Sequence, residues 1–198
     1  MNNNLYLYDF DGTITAENSF IDFIDWHSGK VKTKLSQIVL APWMYLFPSS
    51  KRKKNCKNKL LKRHFQGIKE QEFNRLCKKY AFERLPEIVM PDALHSIKEH
   101  IEGNGDVFIV SSSLPNYIKP FFSQYDLEVI GSEVDFINGN IALTLDCSFE
   151  EKVNQIKKRI KLENYHEIHV YGNSSQDDAM MKLGTHTYYQ LFALVGFD

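Results

Sequence analysis

Two aspartates, Asp9 and Asp11, stand two residues apart directly after the apolar run Leu5-Tyr6-Leu7-Tyr8 and just before Gly12-Thr13. A hydroxyl residue, Ser111, closes a second apolar run, Val107-Phe108-Ile109-Val110. A third run, Ile168-His169-Val170-Tyr171, ends in Gly172-Asn173 and is followed by Asp177 and Asp178. Lys152 sits at the start of a charged stretch ahead of that run. These residue types share one coherent use. A carboxylate that attacks phosphorus splits a difficult hydrolysis into two easier steps. The phosphoryl group is itself anionic, so a carboxylate can approach only where that charge is neutralised. A hard divalent cation on oxygen ligands does part of this, and an amine does more. A second carboxylate two residues away can protonate the leaving alkoxide and later deprotonate the attacking water.

Such residues need a scaffold that brings strand ends to one rim. Leu5–Tyr8, cut off by a glycine-containing loop, reads as a buried strand. From Glu17 to about Arg84, apolar residues recur at three- and four-residue spacing (Phe20, Phe23, Ile24; Leu60, Leu61, Phe65; Phe73, Leu76, Cys77, Tyr80). That spacing predicts several helices and no strand, with breaks at Pro42, Pro48 and Gly67. Thereafter helix and strand alternate. Helices are predicted over 92–102, 116–124, 150–161 and 176–183, and strands over 107–110, 127–130, 168–171 and 187–191. A hairpin around Asn138-Gly139 joins 134–137 to 140–145. Alternation of this kind predicts an α/β fold, a doubly wound and mostly parallel sheet. The catalytic core would comprise 1–14 and 86–198, with residues 15–85 forming a small all-helical cap inserted after the first strand. In open α/β sheets, ligands bind beyond the carboxyl ends of the strands, where Asp9, Asp11, Ser111, Asn173 and Asp177 all fall.

Asp9-Phe10-Asp11-Gly12-Thr13 resembles the DxDGT signature of the haloacid-dehalogenase superfamily. Phe108-Ile109-Val110-Ser111 resembles its second motif, Lys152 its third, and Gly172-Asn173-Ser174-Ser175-Gln176-Asp177 its fourth, in the family's order. The helical insert resembles the cap of the phosphoserine-phosphatase-like branch. The resemblance implies a Mg²⁺-dependent phosphomonoesterase. Asp9 would be nucleophile and metal ligand, and Asp11 the general acid/base, its carbonyl a second ligand. Thr13, Ser111 and Lys152 would serve the phosphate, Thr13 by ordering the loop, and Asn173 and Asp177 would complete the metal site, directly or through water. Two adjacent residues at a helix start point about 100° apart, so Asp178 cannot share an ion with Asp177. The family pattern usually has an acid where Asn173 stands. Loss of one ligand charge predicts weaker Mg²⁺ binding.

Substrate recognition is less determined. Glu17 lies one residue from the position where serine-specific members hold an amine, with Asn18 in the slot itself. Lys59, Lys62 and Arg63 are the candidate cap cations. They belong to a run, Lys51 to Arg63, of eight basic residues and no acid. With the apolar segment Ile38–Phe47 before it, that run could rest on an anionic lipid surface and suit a lipid-linked phosphate; a small soluble phosphate ester is the other reading. A phosphotransferase or mutase using the same aspartyl-phosphate, and a catalytically weak phosphate-binding module, remain alternatives.

The rest of the sequence sets bounds. Its 198 residues fit one domain, or one domain with a smaller insert. Net charge is −1, which gives no field for nucleic acid. Cys56, Cys77 and Cys147 are odd in number and form no CxxC pair, which argues against disulfides and a cysteine zinc site. His166 and His169, three apart, would splay to opposite faces of a strand. With no signal-like start and no membrane-spanning apolar run, a cytoplasmic location is expected.

Overall fold

The computed structural model describes residues 4–36, 49–137 and 139–192. The apolar segment Ile38–Phe47 and Asn138 of the hairpin turn lie outside the described residues.

Five strands form one parallel sheet: β1 (Asn4–Tyr8), β2 (Asp106–Val110), β3 (Glu128–Ile130), β6 (Glu167–Gly172) and β7 (His186–Tyr189). Their spatial order is β3-β2-β1-β6-β7. The chain steps outward from β1 through β2 to β3, then returns to the other side of β1 at β6. The switch point therefore lies between β1 and β6, where α/β sheets open a crevice at their carboxyl ends. Strands β4 (Glu133–Ile137) and β5 (Asn140–Leu145) make the separate antiparallel hairpin that the Asn-Gly turn predicts.

Both sheet faces are covered, which explains why β1 lacks a polar face. Leu5 and Leu7 are fully buried among Ile156 and Ile160 of the α8 region (α8, Glu150–Arg159) and Met180 of α9 (Asp178–Met181). The opposite face meets α6 (Pro91–Glu102) and α7 (Pro115–Phe121).

After the loop that follows β1, the described part of the chain up to α6 is mostly helical. It forms α1 (Ser19–Ser28), α2 (residues 30–36), α3 (Ser49–Phe65), α4 (Glu70–Glu83) and the short α5 (Leu85–Ile88). Their shared centre is Phe23. Its ring lies 5.3 Å from Phe65, 5.9 Å from Phe73, 5.1 Å from Tyr80 and 5.3 Å from Tyr117 of α7. Phe73 in turn meets Phe136 of the hairpin at 5.5 Å. The helical segment is thus joined to the sheet domain through aromatic contacts as well as through the chain. An ion pair adds a fixed angle. Arg84 places Nε and Nη2 on Asp22 of α1 at 2.8–3.1 Å, and Tyr80 donates to the same carboxylate at 2.9 Å.

Three helices are shorter than the periodicity predicts. Helix α7 stops at Phe121 rather than continuing to residue 124, because Pro120 lies in its last turn and offers no amide hydrogen. Helix α8 ends at Arg159 because Ile160 turns extended (φ −124°, ψ 128°) to enter the core. Helix α9 begins only at Asp178, because the Asp177 side chain is bonded to the preceding loop.

Candidate active site

Strand β1 hands over to a tight loop in which the amides of Thr13, Ile14 and Thr15 all donate to Phe10 O. Gly12 holds φ +82°, and a Cβ there would meet Asn173 Nδ2 at 2.0 Å. Glycine suits the positive φ, and its missing side chain leaves room for the Asn173 amide to pack against the loop. The Asp9 amide donates to Tyr171 O at 2.9 Å, which continues the β1–β6 register one residue past the strand. These constraints fix the direction of the Asp9 carboxylate, whose residue is 5% exposed.

Lys152 comes from the first turn of α8. Phe149, just before that helix, holds φ 54° and ψ −130°, a region that costs a non-glycine residue about 1–3 kcal/mol. The turn delivers Lys152 into the protein, where it is 1% exposed. Its Nζ contacts Asp9 Oδ1 and lies 2.7 Å from Asp177 Oδ1. The other Asp177 oxygen accepts from the amides of Asn173 (3.2 Å) and Ser174 (3.1 Å) and from the Ser174 hydroxyl (3.2 Å). Asp177 thus ties the amine to the β6 loop, while Asp178 is exposed.

Charge is unbalanced here. Burial pushes Asp9 up to about 7, with Lys152 opposing and Asp177 and Asp11 reinforcing. Burial also disfavours the Lys152 ammonium, but Asp9 and Asp177 outweigh it and hold Lys152 above its ordinary value. One ammonium is shared by two carboxylates, so Lys152 stays charged while burial outweighs its pull on Asp9.

Asp11 has its own support. Its Oδ1 accepts from the Ser19 amide at the start of α1 (2.7 Å), and its Oδ2 from the Ser113 hydroxyl (2.5 Å). The Ser19 hydroxyl donates to Ser113 at 3.2 Å and meets the Tyr117 hydroxyl at 3.1 Å. With one proton per hydroxyl, the chain runs Tyr117 to Ser19 to Ser113 to Asp11, each bond polarising the next.

Asp9, Asp11, Lys152, Asn173 and Asp177 line one cleft of about 270 Å³, with Glu17 and Asn18 at its helical side. Ser111 is fully buried and its hydroxyl accepts from the Ser113 amide (2.9 Å); Ser112, not Ser111, lines the cleft. Thr13 lies beside Asp9 and donates to its Oδ2 at 3.4 Å. Glu17 faces Arg84 at 3.7 Å, and Asn18 caps α1 by accepting from the Ile21 amide. The expected cations are elsewhere. Lys59, Lys62 and Arg63 do not line the cleft, and Arg63 borders a separate cavity with His27 and His64. Lys57 of the same run also lies outside the cleft lining, but it reaches the β2 loop, where it donates to Ser112 O (2.7 Å) and pairs with Asp146 (2.9 Å). Helical period explains this placement: neighbouring residues on α3 point about 100° apart, so Lys57 can meet the β2 loop while residues off its face point elsewhere.

The residues fit a hard divalent cation such as Mg²⁺. The cleft brings Asp9, Asp11 and Asp177 together around the single ammonium of Lys152, with Glu17 a fourth carboxylate at its helical side, and Asn173 adds an amide oxygen. An all-oxygen, net-negative donor set of this kind suits Mg²⁺. Asp9 and Asn173 would hold it directly, with Asp177 reaching it through water. Both Asp177 oxygens already carry hydrogen bonds.

A parallel sheet with its switch point over a carboxylate pair, an amine and an acid-bearing loop defines a Rossmann-like hydrolase architecture. The chain belongs to the haloacid dehalogenase-like hydrolase family, whose model matches residues 6–182. Protein CicA of Caulobacter vibrioides (strain NA1000 / CB15N) is 22% identical over 193 residues, covering 95% of this chain and 86% of that protein. Among solved structures, a protein of unknown function from Bordetella pertussis Tohama I has a TM-score of 0.76 at 14% identity, covering 94% of this chain and 89% of that one. A substrate-bound phosphoserine phosphatase has a TM-score of 0.66 at 18% identity, covering 96% and 86%. These structural likenesses are likenesses of fold.

Among the described residues, no helix is long and apolar enough to cross a membrane.

Proposed function

We propose that this protein is a magnesium-dependent phosphomonoesterase that passes through an aspartyl-phosphate on Asp9. The observation that carries the reading is the Lys152 ammonium bridging Asp9 and Asp177, with Asp11 in the same cleft. Mg²⁺, when bound, supplies charge neutralisation at the phosphoryl oxygens. The chain's own residues do the rest. An Asp9 carboxylate oxygen attacks phosphorus, and the phosphorus–oxygen ester bond breaks as Asp11 gives its proton to the leaving oxygen. Water then loses a proton to Asp11 and attacks the phosphorus of the aspartyl-phosphate, which releases phosphate and restores Asp9. Lys152 holds a phosphoryl oxygen throughout and keeps positive charge beside the nucleophile. Asp177 holds Lys152.

The residues 15–85 segment acts as a cap in this reading, with Glu17 and Asn18 nearest the substrate. A cleft of about 270 Å³ suits a phosphate and a small group. Glu17 already faces Arg84, which argues against phosphoserine, whose amine would need that carboxylate. A lipid-linked phosphate would need the segment Ile38–Phe47 as its apolar contact. A panel of sugar, amino-acid, lipid and aryl phosphates, assayed for free phosphate with and without added alcohol, tests the proposal. Phosphate release across soluble monoesters supports it. Transfer to the alcohol without phosphate release would make the protein a phosphotransferase.

A further inference from the structure

We propose that Glu167, His169 and His186 form a binding site for a borderline divalent transition-metal ion of the zinc class, separate from the cleft at the strand ends. One ligand atom from each of the three residues lies within 4.8 Å of the other two, and no other such group of His, Cys, Asp and Glu occurs among the described residues. The strand geometry explains the cluster. Glu167 and His169 are two apart on β6 and share a face, and His186 of β7 pairs with His169 in register. His166, three residues before His169, is not part of the group.

The rings of His169 and His186 stack at 4.7 Å with 9° between their planes. On the other side of His169 the Tyr6 ring stacks at 4.8 Å, and Tyr6 rests on His100 at 3.7 Å. The His169 ring is therefore held between aromatic neighbours. Near-parallel rings do not aim two lone pairs at one point, so on metal binding the exposed His186 ring turns out of the stack to bring its nitrogen to His169 and Glu167. Metal-bound histidines orient through the nitrogen that is not coordinated. Here His169 Nδ1 meets the Tyr188 hydroxyl at 3.2 Å, and His186 Nδ1 meets the Thr185 hydroxyl at 3.1 Å. His169 thus has its Nδ1 engaged by Tyr188, and its Nε2 is the nitrogen turned toward Glu167.

His169 Nε2 lies 3.1 Å from Glu167 Oε2. That is close to the separation of two donors sharing a tetrahedral ion at about 2.0–2.1 Å. Without metal, Nε2 carries the proton and donates it to Glu167, which holds that carboxyl below its usual range. Coordination takes the Nε2 lone pair, so the ring proton sits on Nδ1 and is donated to Tyr188. Two imidazoles and one carboxylate select zinc, nickel or copper over Mg²⁺, which prefers oxygen ligands. β7 is the edge strand, so the ion would bind the last strand to its neighbour. His169 lies four residues before Asn173, roughly 13 Å along the strand at about 3.3 Å per residue, so this ion is not the one proposed for Asp9.

Equilibrium dialysis of the full chain against ZnCl₂, with excess Mg²⁺ occupying the oxygen site, tests this. Wild type and Asp9→Asn are each expected to take up one zinc. His186→Ala, exposed and therefore tolerated by the fold, is expected to bind at least about tenfold more weakly, with the same loss in His169→Gln. Cobalt substituted for zinc is expected to give visible bands characteristic of nitrogen coordination, absent in His186→Ala. No zinc uptake by wild type, or equal uptake by wild type and His186→Ala, overturns the proposal. Uptake lost in Asp9→Asn but kept in His186→Ala would assign the zinc to the cleft and overturn it equally.

Discussion

Replacing Lys152 by methionine keeps most of the side-chain volume and removes only the ammonium. Two buried carboxylates, on Asp9 and Asp177, then lose their shared partner. A charge-assisted hydrogen bond is worth about 1.5–3 kcal/mol, and stranding a buried charge raises the loss to about 3–5 kcal/mol. Because one amine serves two acids, the loss is not additive with removal of either acid. Asp177→Asn takes away one of the two stranded charges, so the double variant is expected to be more stable than the summed single losses by about 1–3 kcal/mol. Urea unfolding of the four proteins, followed by circular dichroism at neutral pH without magnesium, measures that coupling. Turnover of Lys152→Met is expected to fall by at least about 10²-fold, since Lys152 is the one ammonium in the cleft. A Lys152→Met protein within about 1 kcal/mol of wild type, or strictly additive losses, would refute the shared-partner reasoning.

Other expectations follow from neighbouring contacts. Asn173→Asp restores a ligand charge and is expected to lower the Mg²⁺ concentration for half-maximal rate several-fold; an unchanged value would mean that Asn173 does not touch the ion. Ser113→Ala removes the 2.5 Å bond to Asp11 and is expected to lower kcat about tenfold, or 1.4 kcal/mol, with KM little changed; an effect on KM alone would contradict the positioning role. His100 is held down to about 4 by burial first and by His169 second. The unfolded chain, with a value near about 6.5, binds more protons between those limits. Stability is thus full above pH 6.5 and is lost as pH falls toward 4. For a half-buried ring the loss is about 1–2 kcal/mol after allowance for solvent screening, and unfolding of His100→Asn at two pH values is expected to show a shallower dependence.

The elements were legible wherever a single period governed them. β1, β2 and β6 are short apolar runs stopped by polar or glycine residues, and their ends delivered Asp9, Ser111 and Asn173 to one region. The hairpin was legible from its turn. What the sequence hid is contact between distant residues of ordinary type. Ser111, Ser112 and Ser113 are equivalent as text; only the bend after β2 turns Ser113 onto Asp11 and buries Ser111. Lys57 is one cation in a run of eight, and the face of α3 that meets the β2 loop selects it over Lys59 and Lys62. Arg84 and Asp22 are 62 residues apart, so no local signal could pair them. The Glu167–His169 spacing was readable on one strand, but His186 joins it only through the β6–β7 register.

The account rests on Asp9 as the atom that takes the phosphoryl group. The most direct measurement is a Mg²⁺-dependent turnover of an aryl phosphate by wild type and Asp9→Asn, with acid-quenched wild type searched by mass spectrometry for phosphate on the peptide carrying Asp9. The expected result is turnover and a labelled Asp9 in wild type, and neither in Asp9→Asn. Equal turnover by the two proteins, or no turnover by wild type at any magnesium concentration, would contradict the mechanism.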